Sequence, residues 1–339
     1  MTEADFLARL RTLPLHPGAH GLLDDTATLG GYTLTTDTLV EGVHYLPGDP
    51  PEDVAWKLLA TNLSDLAAKG ATLVGVLLNY PLRAPSLTTT PADAGAQWGN
   101  EHDETPRDVT STVATGPRPS PGKEPDWDAA FLTGLATALT HFACPLLGGD
   151  TVSLPAHAPR VITLTAIGGN APAPPRSGAR AGDALYVTGT IGDAGAGLAI
   201  AQGADGPAAL LAAYRRPTPR LADGQALAPH VHAMMDVSDG LLIDAERMAK
   251  ASNLAVTIDL AAIPLSPAYA AFVGSDRAAR LSAATAGDDY QLLFAAPADF
   301  AAPVPATRVG QFTPGAGLSL KHGDQALLLP AKLGFQHAG

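Results

Sequence analysis

Six short motifs along this chain of 339 residues place acidic side chains next to glycine, serine, threonine or asparagine. These motifs are Asp24-Asp25, Thr35-Thr36-Asp37, Asn62-Leu63-Ser64-Asp65, Gly148-Gly149-Asp150, Asp236-Val237-Ser238-Asp239-Gly240 and Gly287-Asp288-Asp289-Tyr290. Each motif alone is typical of a turn. Carboxylate and hydroxyl oxygens are also the hard ligands that Mg²⁺ prefers, and bound Mg²⁺ can in turn hold a polyphosphate. Together the motifs predict one site built from oxygen ligands.

The acidic residues of the first half differ in how strongly they indicate ligands. Asp37 ends a β-rich run and Asp65 lies inside a predicted helix, where aspartate is disfavoured, so packing explains neither side chain. For Asp24-Asp25 a turn or a helix cap is the ordinary interpretation. Asp150 follows two glycines, which would let the backbone approach a phosphate closely.

The second half contains one motif that strongly favours ligands. Two other residues, His44 and Arg176, are ambiguous. Asp236, Ser238 and Asp239 place two carboxylates and a hydroxyl between a strand and a helix N-terminus, which favours metal or phosphate. His44 is equally well explained as a surface histidine. Arg176 could pair with a phosphate or cap a linker.

Several common architectures are excluded by what the chain lacks. The one Gly-Lys pair, Gly122-Lys123, is followed by Glu124, so no phosphate-binding loop of the Walker type exists. Protein-kinase motifs and the H-E-x-x-H motif are also missing, and Ser238 does not lie in G-x-S-x-G. The glycines at 189, 192, 195 and 197 have the wrong spacing for a dinucleotide fingerprint.

Composition narrows the partners further. The formal charge of −12, with only 21 Lys and Arg residues, disfavours nucleic acid as a partner. Cys144 is the only cysteine, so disulfide frameworks and thiolate zinc sites within one chain are excluded. The N-terminal residues lack a signal pattern, and no apolar run approaches the ~20 residues that span a bilayer. We therefore expect a soluble, cytoplasmic protein without a membrane partner.

Hydrophobic periodicity and breakers predict the elements that must position these motifs. In the first half we predict strand 32–40 ending near Asp37, helix 53–69, strand 72–80, helix 127–141, a short strand emptying into a turn at Gly148-Gly149, and strand 160–167. Residues 83–124 are rich in Thr, Pro, Ser and Gly and read as a low-complexity, disordered insertion.

A Pro- and Gly-rich linker at 168–175 separates the halves. In the second half we predict strands 184–188, 234–236 and 291–295, helices 194–202 and 220–230, a helix from Leu241, and two weaker strands near the C-terminus. The fold class is therefore α/β (α+β) with two domains, residues 1–170 and 171–339.

In their order and composition, these motifs resemble the thiamine-monophosphate kinases, which are related to aminoimidazole ribonucleotide synthetase. The resemblance runs from about Leu22 to Phe335, interrupted by the insertion. It is carried by DDTATL, TTDTLVEGVHYLP, NLSDLAAKGA, LLGGDT, RSGARAGDALYVTGTIGDAGAGL, DVSDGLLIDAERMAKAS, IDLAAIPLS and GDDYQLLF.

The resemblance implies ATP-dependent phosphorylation of thiamine monophosphate to thiamine diphosphate by direct in-line transfer, assisted by several Mg²⁺ ions and without an assigned protein base. It also implies a homodimer formed through an N-terminal synthetase-like domain, with ATP near the interface. Carried over by motif, the implied Mg²⁺ ligands are Asp25, Thr35, Thr36, Asp37, Asp65, Asp150, Asp236 and Asp239. The implied ATP contacts are Gly149, Asp150, Arg176 and Ser238, and the implied thiamine phosphate contacts are His44, Asp288 and Phe335.

Four positions depart from the family pattern. Leu23 stands where glycine is usual, Lys69 where methionine is common, and Asp288 and Gln291 where glutamate is usual. The changes at 288 and 291 put the substrate contacts there in doubt. Two alternatives stay open on these grounds: a sister ATP-dependent synthetase, against which TLVEGVH and GDDYQL argue, and a protein that binds Mg-nucleotide without turnover.

Overall fold

The computed structural model of the chain describes residues 2–83 and 126–336. From Ala84 onward, the insertion predicted at 83–124 lies outside the described residues. Within the described ranges every helix is too short or too polar to cross a bilayer.

The first half of the chain folds as one mixed sheet covered on one face by helices. Its elements are α1 Glu3–Leu10, β1 Ala27–Leu29, β2 Tyr32–Val40, α2 Pro51–Ala68, β3 Thr72–Arg83, α3 Trp127–His141, β4 Leu146–Leu154 and β5 Val161–Gly169. The strand order is β1-β2-β5-β3-β4, and only β3 and β4 run parallel. The helices α2 and α3 pack together over the inward side chains of the strands.

The second half builds a larger mixed sheet. Its elements are β6 Ala184–Thr188, α4 Asp193–Ala201, α5 Ala208–Arg215, α6 Leu221–Leu227, β7 Ala233–Asp236, α7 Leu241–Ala251, β8 Leu254–Asp259, α8 Pro267–Phe272, α9 Arg277–Thr285, β9 Leu292–Ala296, β10 Ala306–Pro314, β11 Gly317–His322 and β12 Gln325–Leu327. The strand order is β12-β11-β8-β10-β6-β9-β7, with β8 and β11 as the parallel pair. Two sheets with helices confirm the predicted mixed α/β class.

Helix α2 is the element that joins the two halves. Pro51 opens the helix, and Gly70 follows its end at φ +65°, a conformation that favours glycine. Leu58, Leu59 and Leu63 enter the core of the first half, whereas Ala67 and Ala68 pack against strands of the second half. The small side chains predicted for this helix therefore permit close approach of the second sheet. The division at 170/171 stays a prediction.

Two predictions about the secondary structure around the acidic motifs were wrong. Strand β2 does not end near Asp37 but continues to Val40, because it pairs with β5 along its whole length. The Gly148-Gly149 segment is not a turn but lies inside β4. Gly149 has φ +155°, and a side chain there would meet Leu78 O, so glycine is what lets β4 run beside β3.

Several elements of the second half were not predicted. The strand β8 and the helices α5, α8 and α9 were missed, although Ser266-Pro267 and Asp276 are capping signals at the starts of α8 and α9, and the C-terminal region forms three strands rather than two. The short connections between these elements explain why periodicity did not separate them.

Candidate functional site

A cavity of about 1020 Å³ lies between the two halves. Among its lining residues are most of the side chains that the motifs singled out: Asp25, Thr35, Thr36, Asp37, His44, Asp65, Arg176, Asp236, Ser238, Asp239, Asp288 and Phe335. The cavity therefore draws on all but one of the six motifs. Gly149 and Asp150 do not line it.

Three aspartates from three elements form the centre of the cavity wall. Asp37 comes from β2, Asp65 from α2 and Asp236 from the end of β7. Burial raises the pKa of Asp37 to about 6, with the charge of Asp239 adding to the effect. Burial likewise raises the pKa of Asp236 to about 6, although the neighbouring Ser64 hydroxyl acts in the opposite direction, and the nearby Asp37 charge adds to the increase.

Asp65 is the most strongly affected of the three. Its pKa is raised well above the ordinary value by burial and then by the charges of Asp37 and Asp236. Its Oδ2 accepts a hydrogen bond of 2.5 Å from the Thr35 hydroxyl. Carboxylates that raise one another's pKa in this way lack a nearby positive charge sufficient to balance them, and a bound cation would supply it.

The amide of Asn62, three residues before Asp65, joins β2 to α2 through hydrogen bonds. The Asn62 side-chain oxygen accepts the backbone N–H of Asp37 at 3.1 Å, and its amide donates to Leu58 O at 2.9 Å. Asn62 therefore fixes β2 to α2 at the height of the acidic centre. Sequence reasoning placed Asn62 and Asp65 on one face but did not assign this bond.

The Asp24-Asp25 motif is held by two cations. Arg176 donates to Asp25 Oδ1, and Lys69 Nζ lies 2.5 Å from Asp24 Oδ1. The second oxygen of Asp25 is buried and has no hydrogen-bond partner in the described part of the chain. A buried carboxylate oxygen left unpaired at a cavity wall is suited to a hard cation.

The geometry bears on how a metal ion could be held. Within residues 2–83 and 126–336, no group of three or more His, Cys, Asp and Glu side chains is arranged to hold an ion by itself. Mg²⁺ usually takes only one or two carboxylates and completes its octahedron with water and phosphate oxygens. The donor set around the cavity, which is carboxylate and hydroxyl throughout, fits that pattern.

The loop between β7 and α7 is secured by residues that sequence reasoning missed. Asp244, fully buried in the first turn of α7, accepts the backbone N–H groups of Asp239 and Gly240 at 3.1 Å each. Arg247 donates to Asp239 at 2.5 Å and to Asp244 at 2.9 Å. The sequence offered one signal for this role: Asp244 lies four positions after Gly240, which precedes the predicted helix.

The far end of the cavity carries the residues that the resemblance assigned to the thiamine phosphate. His44 and Phe335 have ring centroids 6.4 Å apart. Asp288 Oδ2 accepts from Lys57 Nζ at 2.7 Å, and Asp288 Oδ1 accepts from the Tyr290 hydroxyl at 2.9 Å. Lys57, which sequence reasoning missed, also donates to His44 O at 2.9 Å, so one ammonium organises both sides of this end.

The positions that depart from the family pattern lie in different parts of the structure, and not all of them line the first cavity. Gln291 does not line the cavity; its side-chain oxygen accepts from Arg220 at 2.9 Å and from Thr188 at 3.2 Å. Leu23 is exposed at the wall of a second cavity. Among the two residues in doubt, only Asp288 therefore bears directly on the site.

This second cavity, of about 1420 Å³, adjoins the first. The residues that line both cavities are Leu7, Asp25, Thr35, Thr36, Arg176 and Arg247. Arg11 and Lys250 add two further cations to the second cavity. The acidic centre therefore lies between this second cavity, which Asp24, Asp25 and Glu246 also line, and the end of the first cavity that holds His44, Asp288 and Phe335.

Gly149 and Asp150 are located elsewhere, on the exposed strand β4. Asp150 pairs with Asn79, which pairs with Thr163, which in turn pairs with Thr38 on β2. Directly paired residues share a face, so Asp150 lies on the face opposite α2, three strands or about 14 Å from β2. A single chain does not bring Asp150 into the acidic centre.

Comparisons with known families cover both halves of the chain. Residues 23–96 and 105–169 match the family described as AIR synthase related protein, N-terminal domain. Residues 180–323 match AIR synthase related protein, C-terminal domain.

Comparisons with individual proteins give the same family. The chain is 36% identical to the thiamine-monophosphate kinase of Caulobacter vibrioides, over 99% of this chain and 91% of that protein. It is 36% identical to the Escherichia coli thiamine-monophosphate kinase, over 82% and 76% respectively. A solved structure described as AaThiL complexed with AMPPCP and TMP superposes with a TM-score of 0.71 at 26% identity, covering 93% of this chain and 98% of that one.

Proposed function

The chain belongs to the AIR synthase related family and, within it, to the thiamine-monophosphate kinases, and we propose that it phosphorylates thiamine monophosphate to thiamine diphosphate with ATP. One observation of the structure carries this proposal. Buried carboxylates from both halves line the first cavity, which shares Asp25, Thr35 and Thr36 with the second, and this arrangement suits a transfer between two phosphates.

The two cavities suit the two substrates differently. We assign ATP to the second cavity, where Arg11, Arg176, Arg247 and Lys250 can pair with phosphate oxygens. We assign thiamine monophosphate to the first, between His44, Asp288 and Phe335; Ser238, which the resemblance implies as an ATP contact, also lines this first cavity. The terminal phosphate of ATP and the phosphate of the acceptor would then meet at the wall that the cavities share.

The residues that fit Mg²⁺ are Asp25, Thr35, Thr36, Asp37, Asp65, Asp236 and Asp239. Bound Mg²⁺ supplies charge neutralisation for phosphate oxygens that would otherwise be repelled by these carboxylates. The identity of the ion and the number bound are part of this proposal. The cytoplasmic location of the protein likewise stays a prediction.

The chain's own residues act by positioning the reactants. Arg176 and Arg247 face the shared wall and can hold the transferred group, while Lys57 fixes Asp288 and the His44 loop around the acceptor. The attacking oxygen of a phosphate is already an anion near neutral pH, so no protein group has to remove its proton. We propose a direct in-line transfer without a covalent intermediate.

A pH dependence of stability follows from the raised pKa values of Asp37 and Asp236. The folded protein holds protons on these groups up to about pH 6, whereas the unfolded chain loses them near its ordinary value of 3.8. In metal-free buffer the stability that these groups contribute is therefore present at low pH and is lost as pH rises through about 6. Asp244, with a pKa of about 7, acts in the same direction.

Mg²⁺ binds the ionised carboxylates, so it should restore this loss. We expect Mg²⁺ to raise the melting temperature by several degrees at about pH 7.5 and by much less at about pH 5. Thermal melts with Mg²⁺ and with EDTA at both pH values measure this difference. An equal effect of Mg²⁺ at the two pH values would contradict the assignment of these aspartates as its ligands.

We propose further that two copies pair through the open face of the first sheet. Tyr32, Leu77, Val152 and Val161 are exposed apolar residues on this face, and Asp150 lies among them. A symmetric pairing would cover these side chains and bring Asp150 towards the partner's cavity.

Subunit mixing tests the dimer and the role of Asp150 together. Asp65→Asn and Asp150→Asn should each be nearly inactive, but dimers formed from a mixture should regain about a quarter of the wild-type rate, since half of them contain one intact site. The rate of the unseparated mixture gives this value, and mixed dimers isolated through two affinity tags should reach about half of the wild-type rate. A monomer in solution, or no regained activity, would overturn the proposal.

The two alternatives make different predictions in one assay. A protein that binds Mg-nucleotide without turnover would bind ATP in calorimetry and form no product. A sister synthetase would hydrolyse ATP only with another acceptor. The proposed kinase should yield ADP and thiamine diphosphate in equal amounts when it is incubated with Mg-ATP and thiamine monophosphate.

A further inference from the structure

The Lys69 ammonium is enclosed completely beside the Asp24-Asp25 motif. Its side chain has 0% of its surface exposed, and Nζ lies 2.5 Å from Asp24 Oδ1 and 3.8 Å from Asp25 Oδ2. Nζ also donates to the backbone carbonyls of Pro174 at 3.2 Å and Met234 at 3.4 Å. Its surroundings are therefore oxygen atoms from the N-terminal segment, from the segment between the two sheets and from β7.

Oxygen atoms surround the Lys69 ammonium as they would surround a bound metal cation. A buried ammonium is costly unless a carboxylate and further oxygens compensate it, and here Asp24 and the two carbonyls do so. Lys69 also reaches the proposed metal ligands directly, because its Nζ lies 3.8 Å from Oδ2 of Asp25. Lys69 thus places one permanent positive charge among the carboxylates that are proposed to hold Mg²⁺.

We propose that Lys69 is a fixed cation of the metal site: it pairs with Asp24, lies within ion-pair distance of Asp25 and weakens the binding of divalent ions there by its own charge. This inference rests on the metal site of the proposed function. It also distinguishes the two carboxylates of one motif: Asp24 makes the close ion pair with Lys69, whereas Asp25 pairs with Arg176 through Oδ1 and keeps an Oδ2 that has no hydrogen-bond partner within the described residues.

Two substitutions should change metal affinity in opposite directions. Lys69→Met removes a positive charge and should tighten binding of Mn²⁺, used as a paramagnetic stand-in for Mg²⁺, by about tenfold. Asp24→Asn removes a negative charge and should weaken it by about tenfold. The double variant restores the original charge balance and should bind Mn²⁺ nearly as the wild type does.

The measurement is the electron paramagnetic resonance signal of free Mn²⁺ during titration of the full chain without nucleotide. Lys321→Met is the matched control, because Lys321 is an exposed lysine paired with Asp259 at 3.5 Å on β11, and its loss should leave the affinity unchanged. Thermal melts in EDTA and in Mn²⁺ add a second readout. Lys69→Met should melt lower than wild type in EDTA and recover most of the difference in Mn²⁺.

The outcomes separate this inference from the site on which it rests. Absence of Mn²⁺ binding by the wild-type chain would overturn the proposed metal site and this inference with it. Normal wild-type binding with unchanged affinity in Asp24→Asn would overturn the inference alone, even where Lys69→Met fails to fold. A melting loss in Lys69→Met that Mn²⁺ does not reduce would show that Lys69 is only a structural tether.

Discussion

Asp65→Asn is expected to lower turnover by at least about a thousandfold, equivalent to ~4 kcal/mol of transition-state stabilisation. Asp65 lies at the centre of the acidic wall, where its charge is opposed by Asp37 and Asp236 and by burial. Asparagine has nearly the same shape and can still accept the hydrogen bond from Thr35. The change therefore removes a proposed metal ligand without removing packing.

The same substitution should stabilise the metal-free protein. Removing one of three mutually repelling carboxylates relieves repulsion that burial strengthens, so the melting temperature in EDTA should rise by about a few degrees. Steady-state rates and thermal melts measure the two effects on one sample. Asp205→Asn, at an exposed aspartate in the loop after α4, is the matched control and should change neither.

Near-normal turnover in Asp65→Asn would remove the basis for placing metal at the acidic centre. Lost turnover together with a lower melting temperature in EDTA would instead point to damage to the fold. Only the combination of lost activity and equal or higher stability supports a ligand role.

Lys57→Met should lower kcat/KM for thiamine monophosphate by about a hundredfold and raise KM for this substrate by at least about tenfold. Lys57 is almost fully buried and bridges Asp288 to the backbone of His44, while its ammonium lies 4.3 Å from the centre of the Tyr214 ring. Methionine fills a similar volume but makes neither hydrogen bond. Both sides of the acceptor end should therefore lose their fixed positions.

The KM for ATP gives the readout that separates positioning from general damage. Arg176 and Arg247 line both cavities, but their hydrogen-bond partners are Asp25, Asp239 and Asp244 rather than the residues that Lys57 binds, so the KM for ATP should stay within about twofold of wild type. Lys321→Met again provides the same chemical change at an exposed site. Equal losses for both substrates would contradict a specific role of Lys57 at the acceptor end.

Sequence reasoning succeeded where local signals are strong. Helix α2 was predicted almost at its observed bounds, because Pro51 and Gly70 mark its ends. The strand from Tyr32 to Val40 followed from its β-branched residues, although its pairing with β5 carried it past the predicted end. The glycines of β4 were misread, because the choice between a turn and a strand there depends on the neighbouring backbone of Leu78.

The site was predictable in its acidic residues and in Arg176, but not in the ion pairs of its two buried lysines, Lys57 and Lys69. Motifs mark Asp37, Asp65 and Asp236, since carboxylates at strand ends and inside helices stand out in the sequence. Lys57 and Asp288 are 231 positions apart, and nothing in their local sequence indicates that they pair. The same holds for Lys69 and Asp24, whose contact exists only once α2 has docked beside the second half.

Product formation tests the central claim most directly. The full chain is incubated with thiamine monophosphate, ATP and Mg²⁺, and the nucleotides and thiamine phosphates are separated by chromatography. We expect thiamine diphosphate and ADP to accumulate in a one-to-one ratio, with both lost when EDTA replaces Mg²⁺. ADP formation without thiamine diphosphate, or no reaction while ATP still binds, would contradict the account.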